Sequence, residues 1–162
     1  MITFRRFHLD KMLSQTHFYG RVLDIGGKKE NKKGDFRPPQ KNVASWEYLN
    51  IDQTTSPDYL CSCEKIPVED ESFDMVLLTA VLEHLEKPEA ALKEAHRVWK
   101  RNDQIITTMP FLYPIHSDPC DYQRWTPMKI ELEFKEAGLS EVKIRTMGGF
   151  FAVVYDLLYA SI

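Results

Sequence analysis

The sequence predicts an α/β domain built on a mainly parallel sheet, and three observations carry that prediction. Arg21-Val22-Leu23-Asp24-Ile25-Gly26-Gly27 reads as a short apolar strand holding one aspartate and ending in two glycines. Such a turn lets backbone approach a ligand closely. Phe73–Thr79 (FDMVLLT) is a nearly continuous apolar run, the pattern of a strand buried on both faces of a parallel sheet. In the second half of the chain, strands alternate with helical periods, as crossover connections between parallel strands require.

The totals bound this reading. A chain of 162 residues, 43% hydrophobic and 28% charged, is long enough for one domain with a real core, so residues 1–162 are taken as a single domain. The net charge of −3 gives no reason to expect nucleic acid as a general partner. Cys61, Cys63 and Cys120 are odd in number and form no C-x-x-C pair, which argues against a disulfide scaffold and a structural zinc site. A reducing cytoplasm is the expected location, and no metal ligands are assigned. No apolar stretch approaches the roughly 20 residues of a membrane span, and the first ten residues do not form a signal peptide.

The elements follow in order. Residues 4–18 place Phe4, Phe7, Met12 and Leu13 at loosely helical spacing, so a helix leads into the first strand, Val22–Ile25. Residues 26–45 are Lys-rich, hold Pro38-Pro39 and show no helical period; they form a long loop, either functional or simply a solvated basic surface. Trp46–Ile51 alternates as a second strand, Tyr59–Cys61 is a short third, and the six residues between them are too few for a helix. After the Phe73–Thr79 strand, Pro88–Lys100 carries Leu92, Ala95 and Trp99 on one helical face behind an initial proline. Gln104–Met109 is the next strand. Thr126 caps a helix that turns Ile130, Phe134 and Ala137 inward and stops at Gly138. Val142–Arg145 is expected as a further strand, and Phe150 to Leu158 as a terminal helix.

In such a sheet ligands bind beyond the carboxyl ends of the strands, where strand order reverses. Asp24, Gly26, Gly27, Asp52, Ser62, Cys63, Thr79 and Ala80 all fall at expected strand ends, and they line one crevice in this reading.

From Val22 to about Thr146 the chain resembles class I S-adenosylmethionine-dependent methyltransferases of the type 11 group, with their Rossmann-like sheet. Val22-Leu23-Asp24-Ile25-Gly26 resembles the opening of that family's first cofactor motif. Asp52 sits where the family has an acid for the ribose hydroxyls, and Ser62 and Cys63 sit where relatives often place an aspartate and a small residue against adenine. The runs Ile66–Asp74 and Val81–Pro88 resemble the segments flanking the fourth strand, and there the Glu83-His84 pair is expected to hold the shape of a turn. The resemblance implies S-adenosylmethionine as cofactor. The chain departs from the pattern at Lys28 and Glu30, which replace later motif glycines, and at Ser62, a weaker acceptor than a carboxylate. Lys28 or Lys29 is a candidate partner for the cofactor's carboxylate, the alternative being that both point into water.

The segment from Phe111 to Trp125 leaves the fifth strand and should cross the crevice mouth. Its His116, Pro119, Asp121, Tyr122, Arg124, Trp125 and Thr126 resemble an H-x-x-P-x-D-Y-x-R-[FW]-T run of bacterial type 11 proteins, some linked to polysaccharide synthesis. A hydroxyl acceptor must lose its proton, and an imidazole is the natural base. His116 is therefore the expected base, with Asp121 orienting it or acting in its place. Tyr122 and Trp125 suit a sugar ring, and Arg124 suits an anionic group; alternatively, Asp121 and Arg124 pin the loop as a salt bridge.

The expected function is methyl transfer from S-adenosylmethionine to a hydroxyl of a small molecule or a sugar or glycan precursor. The alternative is a degenerate cofactor-binding or interaction module without catalysis. It draws on the reduced fold: the helix after the first strand is missing, a short turn follows the second, and the usual last strand is absent. The N-terminal helix, the Phe150–Leu158 segment or a partner subunit would cover a sheet face left thin by those losses, the last as a homodimer. A nicotinamide oxidoreductase fits less well, because G-x-G-x-x-G is absent.

Overall fold

The computed structural model describes residues 3–32 and 34–159. Helix α1 (Phe4–Gln15) precedes strands β1 (Gly20–Ile25), β2 (Val43–Asn50), β3 (Tyr59–Leu60) and β4 (Phe73–Thr79). Helix α2 (Pro88–Val98), strand β5 (Trp99–Thr108) and helices α3 (Pro127–Glu136) and α4 (Phe150–Tyr159) follow. The strands form one sheet in the order β3-β2-β1-β4-β5, and every neighbouring pair is parallel. Sequence order reverses between β1 and β4, so the crevice expected of such sheets opens beyond Ile25 and Thr79.

Alternation along β1 divides the core in two. Leu23 and Ile25 face a cluster with Ala91, Leu92 and Ala95 of α2 and Phe134 of α3. Val22 joins Met75 and Leu77 under Leu9 and Leu13 of α1. The sheet is thus covered on both faces, which is why β4 is apolar almost throughout. The N-terminal helix takes the face that a helix after β1 would have covered. Phe36, from the long loop, packs there with its ring 5.8 Å from Phe18 and 5.9 Å from Trp46. The solvated-loop reading therefore holds only in part: Phe36 anchors the loop, and Asp35 donates its backbone N–H to Asp10 at 2.7 Å.

Helix α4 lies against α1. Asp156, buried, accepts the backbone N–H groups of Phe4 and Arg5, each at 2.8 Å. It answers two of the unpaired donors at the α1 N-terminus and places negative charge at the positive end of the helix dipole.

The expected strand Val142–Arg145 does not form; residues 140–149 are irregular. In a strand Val142 and Ile144 would share one face, but only Val142 packs against the core while Ile144 is exposed, so the alternation is not met by a surface that buries both. Among the described residues the sheet ends at β5. The missing helix after β1 and the short turn after β2 are both observed.

Candidate active site

Two walls face the crevice. The first is made by the turns after β1 and β2. Gly26 has φ +75°, and a Cβ added there would stand 2.6 Å from Val81 Cγ2; one added at Gly27 would stand 2.4 Å from the Asp24 carboxyl carbon. Both positions need glycine because other parts of the protein already occupy the space. The turn is fastened from below. Gly26 N–H donates to Leu49 O at 2.8 Å, and the Asn50 side-chain amide donates to the carbonyls of Gly26 and Gly27 at 3.2 and 3.0 Å. Lys29 and Glu30 donate their backbone N–H groups to Thr55 O. These bonds do locally what the absent helix would do, holding the glycine turn open at the strand ends.

Asp24 faces the α1 side of β1. Trp46 Nε1 donates to its Oδ2 at 3.3 Å, while its buried Oδ1 has no partner. Burial pushes this carboxyl up to about 6. Asp52 is exposed at the end of β2 and caps the 3-10 turn Gln53–Thr55, its Oδ1 accepting from Thr54 N and Oγ1 at 2.9 and 2.7 Å. Those bonds to the charged form hold its pKa below the usual carboxylate range. Ser62 is exposed and accepts from Glu64 N at 3.2 Å. Cys63 is buried in the core, and burial raises its thiol to about 11, so it packs as a small apolar side chain. Ala80 follows Thr79 at the end of β4 with φ +55° and donates its N–H to Thr108 O at 3.0 Å. Lys28 and Lys29 do not point freely into water: Lys29 pairs with Asp58 at 2.9 Å, and Lys28 lies 4.0 Å from Asp118 across the crevice mouth.

The second wall joins the turn after β4 to the loop after β5. Tyr122 N–H donates to Glu83 O at 2.8 Å, and the Gln123 amide donates to the carbonyls of Leu82 and Leu85. His84 Nδ1 donates to Cys120 O at 2.5 Å. His116 is thereby brought beside Glu83 and His84, with the two imidazole centroids 5.1 Å apart. Asp121 accepts the His116 backbone N–H at 2.8 Å and stands 3.3 Å from its Nδ1. It is also gripped at both oxygens by Arg124, with Nη2 to Oδ2 at 2.7 Å. Arg124 holds the Asp121 carboxyl far below the usual range, so it is a poor base and a good brace. His116 stays neutral more readily than a free imidazole, because burial and the Arg5 guanidinium disfavour its charged form.

Several expected roles change. Trp125 is only 6% exposed and lies in the main core cluster, its Nε1 donating to Gln123 Oε1 at 2.8 Å, so it does not present a ring face to a sugar. Arg124 is committed to Asp121, which realises the salt-bridge alternative and leaves its fork filled. Tyr122 remains exposed at the mouth. Sequence reasoning passed over Asn50, whose signal was an amide one residue before a strand end. It also favoured a turn-holding role for the Glu83-His84 pair over a catalytic one. Glu83 is wholly buried, neither carboxylate oxygen has a hydrogen-bond partner, and burial raises its pKa.

Residues 35–107 match the family described as Methyltransferase domain. That segment spans Asp52, Ser62, Thr79, Glu83 and His84 and stops short of His116. An uncharacterized protein of Methanocaldococcus jannaschii is 46% identical over 43 residues, which are 26% of this chain and 21% of that protein. Among solved structures, one chain of the complex between the Haloferax volcanii Trm112 methyltransferase activator and a methyltransferase superposes with a TM-score of 0.62 at 20% identity. The match covers 83% of this chain and 68% of that one. A SAM-dependent methyltransferase from Archaeoglobus fulgidus superposes with a TM-score of 0.59 at 15% identity, covering 96% and 85%. The matched segment and the shared five-stranded fold make the chain similar to class I, S-adenosylmethionine-dependent methyltransferases.

Proposed function

We propose that the chain transfers the methyl group of S-adenosylmethionine to a hydroxyl of a small molecule or a sugar or glycan precursor, with His116 as the base. The observation that carries the reading is the second wall: an imidazole disposed to be neutral, braced by Asp121, with its Nε2 free of any hydrogen bond. The first wall fits the cofactor. The Gly26-Gly27 turn sits at the end of β1, Asp52 offers a charged acceptor suited to ribose hydroxyls, and Asp24 Oδ1 is an unpartnered acceptor beneath the turn. Ser62, Thr79 and Ala80 complete the rim.

Methyl transfer from a sulfonium is an in-line displacement, so positioning supplies much of the rate. His116 Nε2 has no solvent contact, and the loop carrying it must shift for an acceptor oxygen to arrive. Cys120, Tyr122 and Gln123 are held at the turn after β4, so the shift falls on residues 111–119, which form no helix or strand. Glu83, 3.8 Å from the same nitrogen, would stabilise the imidazolium formed. Tyr122 lines the entrance. Phe150 and Phe151, 76% and 85% exposed on α4, support a second copy of the chain as the partner covering that face.

The test is calorimetric titration with S-adenosylmethionine and its demethylated product, followed by methyl-transfer assays on hydroxyl acceptors. Micromolar or tighter binding is expected; absence of binding at millimolar ligand would overturn the reading.

A further inference from the structure

The groups around Glu83 pose a problem that methyl transfer alone does not solve. Glu83 Oε1 is 3.8 Å from His84 Nε2 and 3.8 Å from His116 Nε2. One ligand atom from each of the three residues lies within 4.8 Å of the others. The distances exceed hydrogen-bond length, and neither Glu83 oxygen nor His116 Nε2 has another partner. A buried carboxylate left this way is costly.

The outer ring nitrogens settle which atoms point inward. Cys120 O can only accept, so His84 Nδ1 carries a proton and, in the neutral ring, Nε2 carries the lone pair. His116 Nδ1 faces two acceptors, Pro114 O and Asp121 Oδ2, both at 3.3 Å, against one more distant donor, Arg124 Nη2 at 3.4 Å. Its Nε2 lone pair then faces Glu83 as well. With Glu83 ionised, three acceptors converge with no donor among them, and each imidazole is held from behind by an oxygen, as metal-bound histidines commonly are.

We propose that Glu83, His84 and His116 form a binding site for one divalent first-row transition ion. Two imidazoles and one carboxylate suit zinc, cobalt, nickel, manganese or ferrous iron; calcium and magnesium favour all-oxygen sets. Ligand bonds of about 2.0–2.2 Å place neighbouring donors roughly 3–3.5 Å apart, so the Glu83–histidine pairs close by about half an ångström and the widest pair by at most roughly 1–2 Å on loading. Such a shift is small for His116 on its irregular loop. Three protein ligands leave a position open to solvent or substrate. Arg5 and Arg124 stand close by and offset the charge of Glu83 and Asp121, so affinity is modest. The metal site does not rest on the proposed methyl transfer, although loading would change the part that His116 plays in it. In a loaded enzyme His116 is a ligand instead of a base, and the ion loosens the proton of a hydroxyl bound at the open position.

The experiment uses the tag-free, chelator-treated full chain titrated with Co²⁺ and followed by visible absorption, with S-adenosylmethionine binding measured on the same samples. One equivalent should bind with ligand-field bands, and Zn²⁺ should raise the thermal midpoint. His84→Ala and His116→Ala should abolish the bands, and Asp121→Asn should weaken binding about 10- to 100-fold by freeing His116 Nδ1. Glu83→Gln should lose the metal while its metal-free midpoint stays level or rises, because a buried charge is removed; that variant guards against loss of fold as the cause. Absence of bands in a protein that binds S-adenosylmethionine would overturn the metal site and leave the proposed function standing. Metal binding without cofactor binding would do the reverse. Bands that persist in the His84→Ala and His116→Ala variants would assign the ion to another histidine and overturn the site.

Discussion

The two walls of the crevice are built on opposite plans. The glycine wall is satisfied almost completely from within: Asn50, Leu49 and Thr55 answer the backbone of residues 26–30, and Asp52 folds its own carboxylate over Thr54. The histidine wall is held firmly at its back, through Cys120, Asp121 and the carbonyls that Gln123 grips. At its front it leaves Glu83 and His116 Nε2 unanswered. Buried polar atoms without a hydrogen-bond partner occur elsewhere too, at Asp24, Trp99 and Thr107 among others, but at Glu83 and His116 three of them converge, and that convergence suits another species. The glycine wall is shaped to receive a ligand by geometry; the histidine wall is primed chemically.

The largest test of this contrast falls on the histidine wall. His116→Gln keeps a polar side chain but removes the lone pair in its braced position, and methyl transfer should drop about 10²- to 10⁴-fold. Cofactor affinity, a property of the other wall, should hardly move. A single-turnover assay alongside calorimetry separates the two, and equal losses in both would erase the division.

The next effect is on stability and falls on Asp24. Its carboxyl is raised to about 6 in the folded protein, against about 3.9 for a free aspartate. Between those values the folded state binds more protons than the unfolded one, so stability falls as pH rises, and above the folded pKa the whole penalty is felt. Two units correspond to about 3 kcal/mol. Asp24→Asn should therefore raise the unfolding free energy by about that much near pH 7.5 and by almost nothing near pH 4. Glu83 is raised in the same direction and adds to the slope of the parent protein, so the comparison is between variants at each pH. A gain that is constant across pH would mean that the Asp24 carboxyl titrates alike in the folded and unfolded chain, and would remove burial as the source of its effect.

How far the sequence reveals these walls depends on whether a role is local. Phe73–Thr79 was legible to the residue because burial on both faces leaves an unmistakable run, and Thr126 was legible because a cap acts on its own helix, accepting from Lys129 N. The Asp121–Arg124 pair, three residues apart, could be weighed from spacing alone. Trp125 misled because an aromatic in a polar loop looks like a binding platform, whereas its burial depends on Met109 and the core beneath. Phe36 was hidden among lysines and prolines, although its ring closes a core under α1. The meeting of His116 with Glu83 and His84 could not be read at all. It depends on Tyr122 and Gln123 bonding across more than thirty residues to the turn after β4.

The smallest effect belongs to the glycine wall and tests whether Asp52 does more than cap its turn. Asparagine caps about as well as aspartate, since either offers a side-chain oxygen to Thr54 N–H. Asp52→Asn should leave the thermal midpoint nearly unchanged. A ribose hydroxyl, by contrast, loses a charged acceptor for a neutral one, and bonds to ionised groups are roughly twice as strong. Affinity for S-adenosylmethionine should then fall about tenfold. The same substitution should barely affect methionine, which lacks the ribose, in a competition assay. Undiminished cofactor affinity would return Asp52 to a purely local part in the turn and move ribose recognition elsewhere on the rim. A loss of affinity together with a lower midpoint would mean that capping and binding are one function, because the turn that Asp52 holds also supplies Thr55 O to the backbone of Lys29 and Glu30.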